Sequence, residues 1–439
     1  MGARETALNA LIACRKDGAW SNGILKEYAA RDRLDARDGA LAARLCYGVL
    51  QNRGKLDFYL RQLLTGKLKN LHPVVRDILH LGLYQLYEMD KIPQSAAVNE
   101  SVALVKKYCP GQSAARGLVN GVLRNAVRKQ GTLQEPSAYE DKYSHPEKLI
   151  RELKKSLPKG KLEPMLIADN QAPDMTVQVN SLKTTKEDLI RILEAEHVSV
   201  SCHSWMEDCL ILSGTGSLDH LESFRSGLFY VQDPAAKLSV LCGELPADRD
   251  ISLLDCCSAP GGKSFAAAIA MKGRGRILSC DIHPHKIELI RRGGERLGIS
   301  NQQVLLQSAE EFQSQWQDAM DVVIADVPCS GYGIIRKKPD IRYKDPDTML
   351  SLPELQLHIL ENQANYVRKG GLLLYSTCTV LKRENEDVVK AFLEKRKDFT
   401  LEPLPLPGVF PRNESGMLTL IPGEYDTDGF FICRMRRNP

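Results

Sequence analysis

Ile251-Ser-Leu-Leu-Asp-Cys-Cys-Ser-Ala-Pro-Gly-Gly-Lys263 decides the fold, because an apolar run of strand length leads into a proline and two glycines and then into a helix-like segment. Four further apolar runs of strand length follow, separated by segments of helix length; they span 276–280, 304–307, 322–325 and 372–375. This alternation predicts an α/β doubly wound (Rossmann-like) domain, a parallel sheet with helices on both faces. Ligands in that architecture bind beyond the carboxyl ends of the strands.

Two other regions precede this domain. Up to about residue 130, apolar residues recur at three- and four-residue spacing, which predicts an all-α domain. Examples are Leu118, Val119, Val122 and Leu123. A polar linker broken by proline, at 131–146, separates this domain from a shorter region that predicts a small α+β middle module. The strand- and helix-like stretches of the module span 175–179, 186–193 and 229–231. The predicted domains of this multidomain chain span 1–135, 145–235 and 236–439.

The hydropathy and the cysteines argue against several protein classes. No run of about 18 or more apolar residues occurs, so a membrane span is not expected. Charged residues interrupt the N-terminal apolar residues, which is unlike a signal peptide. The 12 cysteines include no CxxC pair and no zinc-like spacing with histidine, and two of them are adjacent. We therefore expect free thiols in a reducing cytosol and no metal site.

Positive charge is concentrated at the front of the chain. Residues 1–130 hold 21 Lys/Arg and 11 Asp/Glu, a balance of +10, and the rest of the chain sums to −6, which together give the net +4. A basic domain joined to a mildly acidic one is typical of proteins that contact nucleic acid phosphates. A well-solvated helical surface explains the charge equally well.

The turn after the first predicted strand has the features of a cofactor site. Its glycines let the backbone approach a ligand, and the helix that follows offers free N–H groups. A phosphate-binding P-loop needs a glycine five positions before Gly262, where Cys257 stands, so a nucleoside triphosphatase is disfavoured. Asp281, at the end of the second predicted strand, is placed to accept hydrogen bonds from ribose hydroxyls. The two features together favour an adenosine-bearing cofactor, although a tight turn without a ligand stays open for this segment alone.

Two cysteines follow neighbouring predicted strands. Cys329 comes shortly after Asp326 at the end of one strand, and Cys378 follows the next. Either cysteine alone would more often be buried and structural. A pair at strand ends, beside an acid, fits methylation of cytosine carbon 5. That reaction needs a thiolate to add at carbon 6, an acid near N3, and a base that removes the carbon 5 proton.

The motifs at these three positions resemble those of RNA cytosine-5 methyltransferases, and most of all the bacterial small-subunit ribosomal RNA branch, the Sun/Fmu type. They are Asp255 to Lys263, Asp326-Val-Pro-Cys329-Ser-Gly and Ser376-Thr-Cys378-Thr. The resemblance extends over nearly the whole chain. Arg44 to Arg53, Asn99-Glu100 and Val119 to Arg124 resemble a NusB-like RNA-binding domain, and Gln178 to Lys183 with Val231-Gln-Asp233 resemble the branch's middle module.

The resemblance implies roles for particular residues. Cys378 would attack carbon 6, Cys329 would help to eliminate the enzyme afterwards, and Asp326 would steady the base and lie near the cofactor, S-adenosylmethionine (SAM). The implied cofactor-binding residues are Cys257, Ser258, Ala259, Pro260, Gly261, Gly262, Lys263, Asp281, Ser308 and Asp326. Ser308 is a departure, because the family usually has an aspartate there, near the adenine amino group. A serine hydroxyl accepts that hydrogen bond more weakly.

The resemblance also implies the substrate and the setting. We expect a cytoplasmic, monomeric enzyme that methylates cytosine 967 of small-subunit (16S) rRNA, with no metal and no membrane partner. Methylation of tRNA or 23S rRNA is an alternative. A catalytically silent RNA-binding factor for ribosome assembly is another, and only Ser308 favours it. The basic residues of 336–344 are predicted to contact RNA phosphates, with a solvated loop as the alternative.

Overall fold

A computed structural model describes residues 2–439, and the chain forms two compact units. We call them the helical unit and the sheet unit. The helical unit comprises Met1–Glu152, Asp169–Gln171 and Ile335–Pro346, and the sheet unit comprises Leu153–Ala168, Ala172–Ile334 and Asp347–Pro439. The predicted domain boundaries at 135, 145 and 235 stay predictions.

Seven α-helices lie wholly in the helical unit. They are α1 (Ala3–Lys16), α2 (Ser21–Arg31), α3 (Ala36–Leu63), α4 (Pro73–Glu88), α5 (Gln94–Tyr108), α6 (Ser113–Arg128) and α7 (Tyr139–Lys142). The apolar spacing that predicted an all-α domain is confirmed in α6, where Val119, Val122 and Leu123 are buried in one core. The side chain of Asp35 caps α3 by accepting a hydrogen bond from the Asp38 amide at 2.7 Å, which satisfies a donor that the first turn leaves free.

The middle of the chain forms the small α+β module that the sequence predicts. Its four strands pair antiparallel in the order β2-β3-β1-β4. The elements here are α8 (Glu147–Ser156), α9 (Leu162–Ala168), β1 (Met175–Val179), α10 (Lys186–Ala195), β2 (Ser199–Cys202), β3 (Cys209–Ser213), α11 (Glu222–Arg225) and β4 (Phe229–Val231). The predictions of β1, α10 and β4 are confirmed, whereas β2 and β3 were not predicted.

The second sheet confirms the doubly wound prediction. Its elements are α12 (Pro234–Leu241), β5 (Ser252–Asp255), α13 (Gly262–Ala270), β6 (Arg276–Asp281), α14 (Pro284–Leu297), β7 (Gln302–Leu306), β8 (Met320–Asp326), α15 (Leu352–Ala364), β9 (Val367–Thr377), α16 (Glu386–Lys395), β10 (Phe399–Leu401), β11 (Met417–Leu420) and β12 (Phe430–Arg437). The strand order is β10-β12-β9-β8-β5-β6-β7, with β11 also paired to β12. Strands β5 to β9 are parallel, and β10, β11 and β12 add an antiparallel edge.

Alternate residues of the central strands face two different cores. Val323 and Leu373 belong to one apolar cluster, and Val322 and Leu372 belong to the other. This alternation explains why the parallel strands read as continuous apolar runs. The chain leaves β5 for β6 and β7 on one side, and later returns to β8 and β9 on the other. The order therefore reverses between β5 and β8, where this fold places its ligands.

One part of the predicted phosphate-contacting segment is wrong. Arg342 is fully buried within the helical unit rather than presented to RNA. Its guanidinium donates hydrogen bonds to the carbonyl oxygens of Gln51 at 3.1 Å and Asp169 at 3.1 Å, and to Asn170 Oδ1 at 2.8 Å. A buried guanidinium needs several acceptors, and backbone carbonyls supply them here.

No helix within residues 2–439 combines the length and the apolar character that a membrane crossing requires.

Candidate active site

The residues singled out from the sequence follow the carboxyl ends of five parallel strands. The glycine turn follows β5, Asp281 ends β6, Ser308 follows β7, Asp326 ends β8 and Cys378 follows β9. Because parallel strands present these ends at one edge of the sheet, the sequence-predicted residues share that edge. Cys329, three residues beyond β8, lies on the loop that leaves the same edge.

The two cysteine sulfurs are in direct contact. Cys329 Sγ lies 3.2 Å from Cys378 Sγ, and both side chains are half-buried. The hydrogen bond with Cys378, followed by burial, raises the pKa of the Cys329 thiol well above its usual value. Either sulfur can be the donor in this contact, and the raised pKa of Cys329 favours its protonated, thiol form.

Asp326 is held by two donors, one from a helix and one from a strand. Lys263 Nζ donates to Asp326 Oδ2 at 2.6 Å, and Ser376 Oγ of β9 donates to Oδ1 at 2.7 Å. Lys263 is the second residue of α13, just after the glycine turn, and its ammonium also lies 5.0 Å from the ring centre of Phe430. The Lys263–Asp326 pair thus joins the turn after β5 to the end of β8. The sequence pointed to both residues without indicating that they pair.

The glycine turn is shaped by close packing. Gly261 has a φ of +114°, and a Cβ at that position would lie 2.3 Å from the ring of Phe265. Only glycine fits this backbone without strain. The amide of Gly261 donates to the carbonyl of Ser258 at 2.7 Å, and the Ala259–Pro260 peptide is cis. Cys257, Gly262 and Lys263 complete the predicted loop around this bend.

Two buried polar atoms near this turn have no protein partner within residues 2–439. One is the hydroxyl of Ser258, and the other is Oδ1 of Asp255, whose Oδ2 accepts from Ser264 Oγ at 2.7 Å. Burial raises the pKa of Asp255 to about 7. Unsatisfied buried groups are uncommon in folded proteins and suggest that a polar ligand or water completes the site.

Asp281 and Ser308 occupy the adjoining strand ends. Asp281 is buried, and its Oδ1 accepts a hydrogen bond from the amide of His283 at 3.0 Å. The half-buried Ser308 accepts a hydrogen bond from the Glu310 amide on its Oγ at 3.3 Å. The roles predicted for both residues at the cofactor stay predictions. Residues 2–439 contain no group of three or more His, Cys, Asp or Glu side chains placed to hold a metal ion.

Comparison with known proteins decides the family. The probable ribosomal RNA small subunit methyltransferase B of Bacillus subtilis (strain 168) is 36% identical to this chain over 99% of the chain and 98% of its own length. The family model for 16S rRNA methyltransferase RsmB/F matches residues 244–436. This chain belongs to the RsmB/F methyltransferase family. The resemblance inferred from the three motifs is therefore confirmed.

Two further family models match the front and the middle of this RsmB/F chain. The NusB family matches residues 1–128, and the ferredoxin-like domain of RsmF/B-type methyltransferases matches residues 145–219. The crystal structure of PH0851 has the same fold, with a TM-score of 0.81 at 24% identity over 99% of this chain and 98% of that one. The structure of NSun6 from Pyrococcus horikoshii with SFG has a TM-score of 0.58 and 19% identity, and the match covers 67% of this chain and 98% of that one.

The RsmB/F site contains a residue that sequence reasoning missed. Glu384 is fully buried on the turn between β9 and α16, and its Oε2 accepts hydrogen bonds from the Ser330 amide at 2.9 Å and from Gln356 Nε2 at 3.0 Å. It thereby fixes the loop that carries Cys329. The signal in the sequence was a charged run, Lys382-Arg-Glu-Asn-Glu386, directly after the Cys378 turn, where a solvated loop would ordinarily be expected.

Proposed function

We propose that this RsmB/F chain methylates carbon 5 of a cytosine in 16S rRNA, with cytosine 967 as the target, through a covalent bond between Cys378 and carbon 6 of the base. The observation that carries the proposal is the 3.2 Å approach of the Cys329 and Cys378 sulfurs beyond the neighbouring strands β8 and β9. A pair of thiols at that place matches the need for one nucleophile and one base in a single cleft.

Cys378 is the nucleophile in this proposal. Carbon 5 of cytosine is too weakly nucleophilic to accept a methyl group, so the Cys378 thiolate first donates an electron pair to carbon 6. The Cys329 thiol, which hydrogen-bonds to Cys378, holds the attacking sulfur in place and retains its own proton. The two cysteines therefore enter the reaction in different protonation states.

The Lys263–Asp326 pair assists the addition. Negative charge develops at N3 of the base as sulfur bonds to carbon 6. A proton delivered to N3 neutralises this charge and leaves an enamine, whose carbon 5 is nucleophilic enough to accept the methyl group. The pair holds a transferable proton in the 2.6 Å bond between Lys263 Nζ and Asp326 Oδ2. Ser376 Oγ keeps the carboxylate in a fixed orientation from the other side.

Cys329 becomes the base after methyl transfer. The first cause of its raised pKa is the hydrogen bond with Cys378, and that cause disappears once the Cys378 sulfur is bonded to carbon 6. The Cys329 thiol can then lose its proton to solvent. The resulting thiolate removes the proton from carbon 5, the bond between sulfur and carbon 6 breaks, and its electron pair returns to Cys378. The proton on N3 returns to the Lys263–Asp326 pair, which leaves neutral 5-methylcytosine.

The residues of the glycine turn fit SAM as the methyl donor. SAM supplies the methyl group from its sulfonium when it is bound. The partnerless Ser258 hydroxyl and the close backbone at Gly261 offer a polar contact and the space for a ligand. In this proposal Asp281 would accept hydrogen bonds from the ribose hydroxyls, and Ser308 would contact the adenine end. The NSun6 structure with SFG, a SAM analogue, supports the same choice.

The proposal includes the setting of the reaction. The name of the Bacillus subtilis relative supports small-subunit rRNA as the substrate, and the basic front of the chain, +10 over residues 1–130, suits a polyanion. We place the enzyme in the cytoplasm as a monomer. Mapping of 5-methylcytosine in rRNA from cells with and without the gene tests the target. Loss of methylation only in tRNA or 23S rRNA would contradict it.

The mechanism is tested by trapping the covalent intermediate. The wild type, Cys329→Ala, Cys378→Ala and the control Cys202→Ala, which removes an exposed cysteine, are incubated with SAM and 16S rRNA fragments. Cys329→Ala should accumulate a protein–RNA adduct that survives denaturing electrophoresis, because it can form the bond but cannot resolve it. Cys378→Ala should give no adduct, and Cys202→Ala should behave as wild type. The reverse pattern would make Cys329 the nucleophile.

A further inference from the structure

The helical unit has an exposed tryptophan whose ring lies close to two lysine ammonium groups. Trp20, in the turn between α1 and α2, is 47% exposed. Lys344 Nζ lies 3.7 Å from the centre of its ring, and Lys338 Nζ lies 5.5 Å from it. Ammonium groups at these distances are attracted to the electron-rich face of an indole. The Lys344 ammonium therefore lies over one face of the indole, and the remaining exposed part of the ring faces solvent.

A cavity of about 350 Å³ with a mixed polar and apolar lining adjoins this tryptophan. Lys344 lines the cavity as well as the indole, and so do Gly18 and Ala19, which directly precede Trp20. Every residue that lines the cavity belongs to the helical unit. Its volume is within the range of about 300–1,000 Å³ that small-molecule pockets have.

The lining of the cavity has the groups that a nucleotide requires. Arg53 and Lys344 line it, and the Arg53 guanidinium lies 5.0 Å from the ring centre of Tyr343. Arg15 also lines the cavity, but it is paired with Asp77 at 2.9 Å. Asp340, also in the lining, is only 6% exposed. One oxygen of its carboxylate accepts a hydrogen bond from Ser21 Oγ, and the other has no protein partner within residues 2–439. A buried acceptor without a partner calls for a donor from elsewhere.

We propose that Trp20 and this cavity form a binding site for single-stranded RNA. One base stacks on Trp20, the next nucleotide enters the cavity, and Lys338, Lys344 and Arg53 contact the phosphates. An amino group on the edge of the inserted base is the donor that the Asp340 carboxylate lacks. The partner is a single strand because stacking on a side chain requires a base already free of its helical neighbours. The identification of the strand as part of the rRNA substrate rests on the proposed function.

The fluorescence of Trp20 gives a direct test. The chain has three tryptophans; Trp316 is 9% exposed, and the Nε1 of Trp205 is hydrogen-bonded to the Tyr425 carbonyl at 2.7 Å. The full chain is titrated with a single-stranded RNA of about 12 nucleotides, a length that covers such a site. We expect saturable quenching that Trp20→Phe reduces. Because stacking of one base contributes substantially, Trp20→Ala should weaken binding about tenfold or more.

Charge variants test the phosphate contacts. Lys338→Gln should lower the slope of log affinity against log salt by about 1. Lys67→Gln removes an exposed charge from the same unit, away from the site, and should leave the slope nearly unchanged. If the slope changes equally in both variants, Lys338 acts only through the net charge of the protein, and its proposed contact with an RNA phosphate is overturned.

The result that overturns the site is wild-type RNA affinity in Trp20→Ala, or a duplex of equal length that quenches Trp20 as strongly as the single strand. The binding assay contains no SAM, so it separates this site from the chemistry. If RNA quenches Trp20 but the wild-type protein methylates no RNA, the proposed function is refuted and the binding site is supported. If the protein methylates RNA normally and Trp20→Ala does not change RNA affinity, the binding site is refuted and the proposed function is supported.

Discussion

The backbone amide of Ser330 donates a hydrogen bond to Oε2 of the fully buried Glu384 at 2.9 Å, one residue beyond Cys329. Gln356 Nε2 donates to the same oxygen, and Oε1 of Glu384 has no protein partner within residues 2–439. The negative charge of Glu384 is among the causes that raise the pKa of the Cys329 thiol, after Cys378 and burial. Glu384 is therefore a positioning residue with an electrostatic effect on the proposed catalytic pair, Cys329 and Cys378.

Glu384→Gln should separate these two effects. The amide oxygen can keep both hydrogen bonds, whereas the charge is lost, so the pKa of Cys329 should fall. Alkylation of Cys329 by iodoacetamide at pH 7.5, followed by peptide mass spectrometry, should become about three- to tenfold faster. Glu384→Ala should lose the loop position as well and reduce kcat by about tenfold or more.

The control for this comparison is Glu394→Gln, which removes an exposed carboxylate from the neighbouring helix α16. It should leave both the alkylation rate and kcat as in the wild type. A Glu384→Gln protein whose alkylation profile against pH coincides with that of the wild type would show that Glu384 acts through position alone.

Asp255 should make the protein less stable as the pH rises. Its folded-state pKa is about 7 because of burial, against 3.8 for an ordinary aspartate. Between these values the folded state holds a proton that the unfolded state has lost, so the free energy of unfolding decreases from about pH 4 to about pH 7 and stays low above it. The loss attributable to this group is at most about 4 kcal/mol.

Asp255→Asn should remove that part of the pH dependence. Asparagine stays neutral, and its carbonyl oxygen can accept the hydrogen bond from Ser264 Oγ. We expect the Tm of the variant to exceed that of the wild type by several degrees at pH 8, with a smaller difference at pH 5. Thermal unfolding by circular dichroism at both pH values measures this. Parallel curves for the two proteins across pH would show that Asp255 titrates normally.

The sequence predicted where the proposed catalytic residues lie because each is at or just after the end of a buried parallel strand. An apolar run such as that of β8 can be recognised locally, and the architecture then brings Asp326 to the same edge as Cys378. The pairing of Lys263 with Asp326 was not predictable from either motif alone. It depends on how α13 leaves the glycine turn relative to the end of β8, which is set by packing.

The missed elements lacked a local signal or escaped the alternating pattern. β2 is mostly exposed along Ser199–Cys202, so it carries no apolar alternation. β12 (Phe430–Arg437) begins with four apolar residues and then includes three arginines, and it joins the sheet antiparallel and follows no predicted helix. The buried state of Arg342 was hidden for another reason. Its acceptors lie between 172 and 291 residues away along the chain, and a basic run in the sequence looks the same whether it faces water or carbonyl groups.

Arg342 should therefore matter for stability rather than for RNA affinity. It anchors Ile335–Pro346 within the helical unit through bonds to Gln51, Asp169 and Asn170. Arg342→Ala leaves those acceptors buried without a donor, which should lower the free energy of unfolding by about 3 kcal/mol or more in urea titrations. Arg342→Lys should restore only a small part, because an ammonium lacks the planar fork that reaches several carbonyls at once.

The salt dependence of RNA binding separates a structural arginine from a phosphate contact. Arg342→Lys keeps the positive charge. If Arg342 contacted a phosphate, this variant would therefore keep most of the RNA affinity, the salt dependence of binding and the stability of the wild type. If Arg342 is structural, Arg342→Lys should lower the stability of the protein. The slope of log RNA affinity against log salt should then equal that of the wild type at temperatures where the variant is folded.

Lys338→Gln is the matched comparison from the same segment. Its slope of log affinity against log salt should fall by about 1, and its urea unfolding midpoint should change little. A loss of slope in Arg342→Gln equal to that in Lys338→Gln, with unchanged stability, would place Arg342 at the phosphates and contradict its burial.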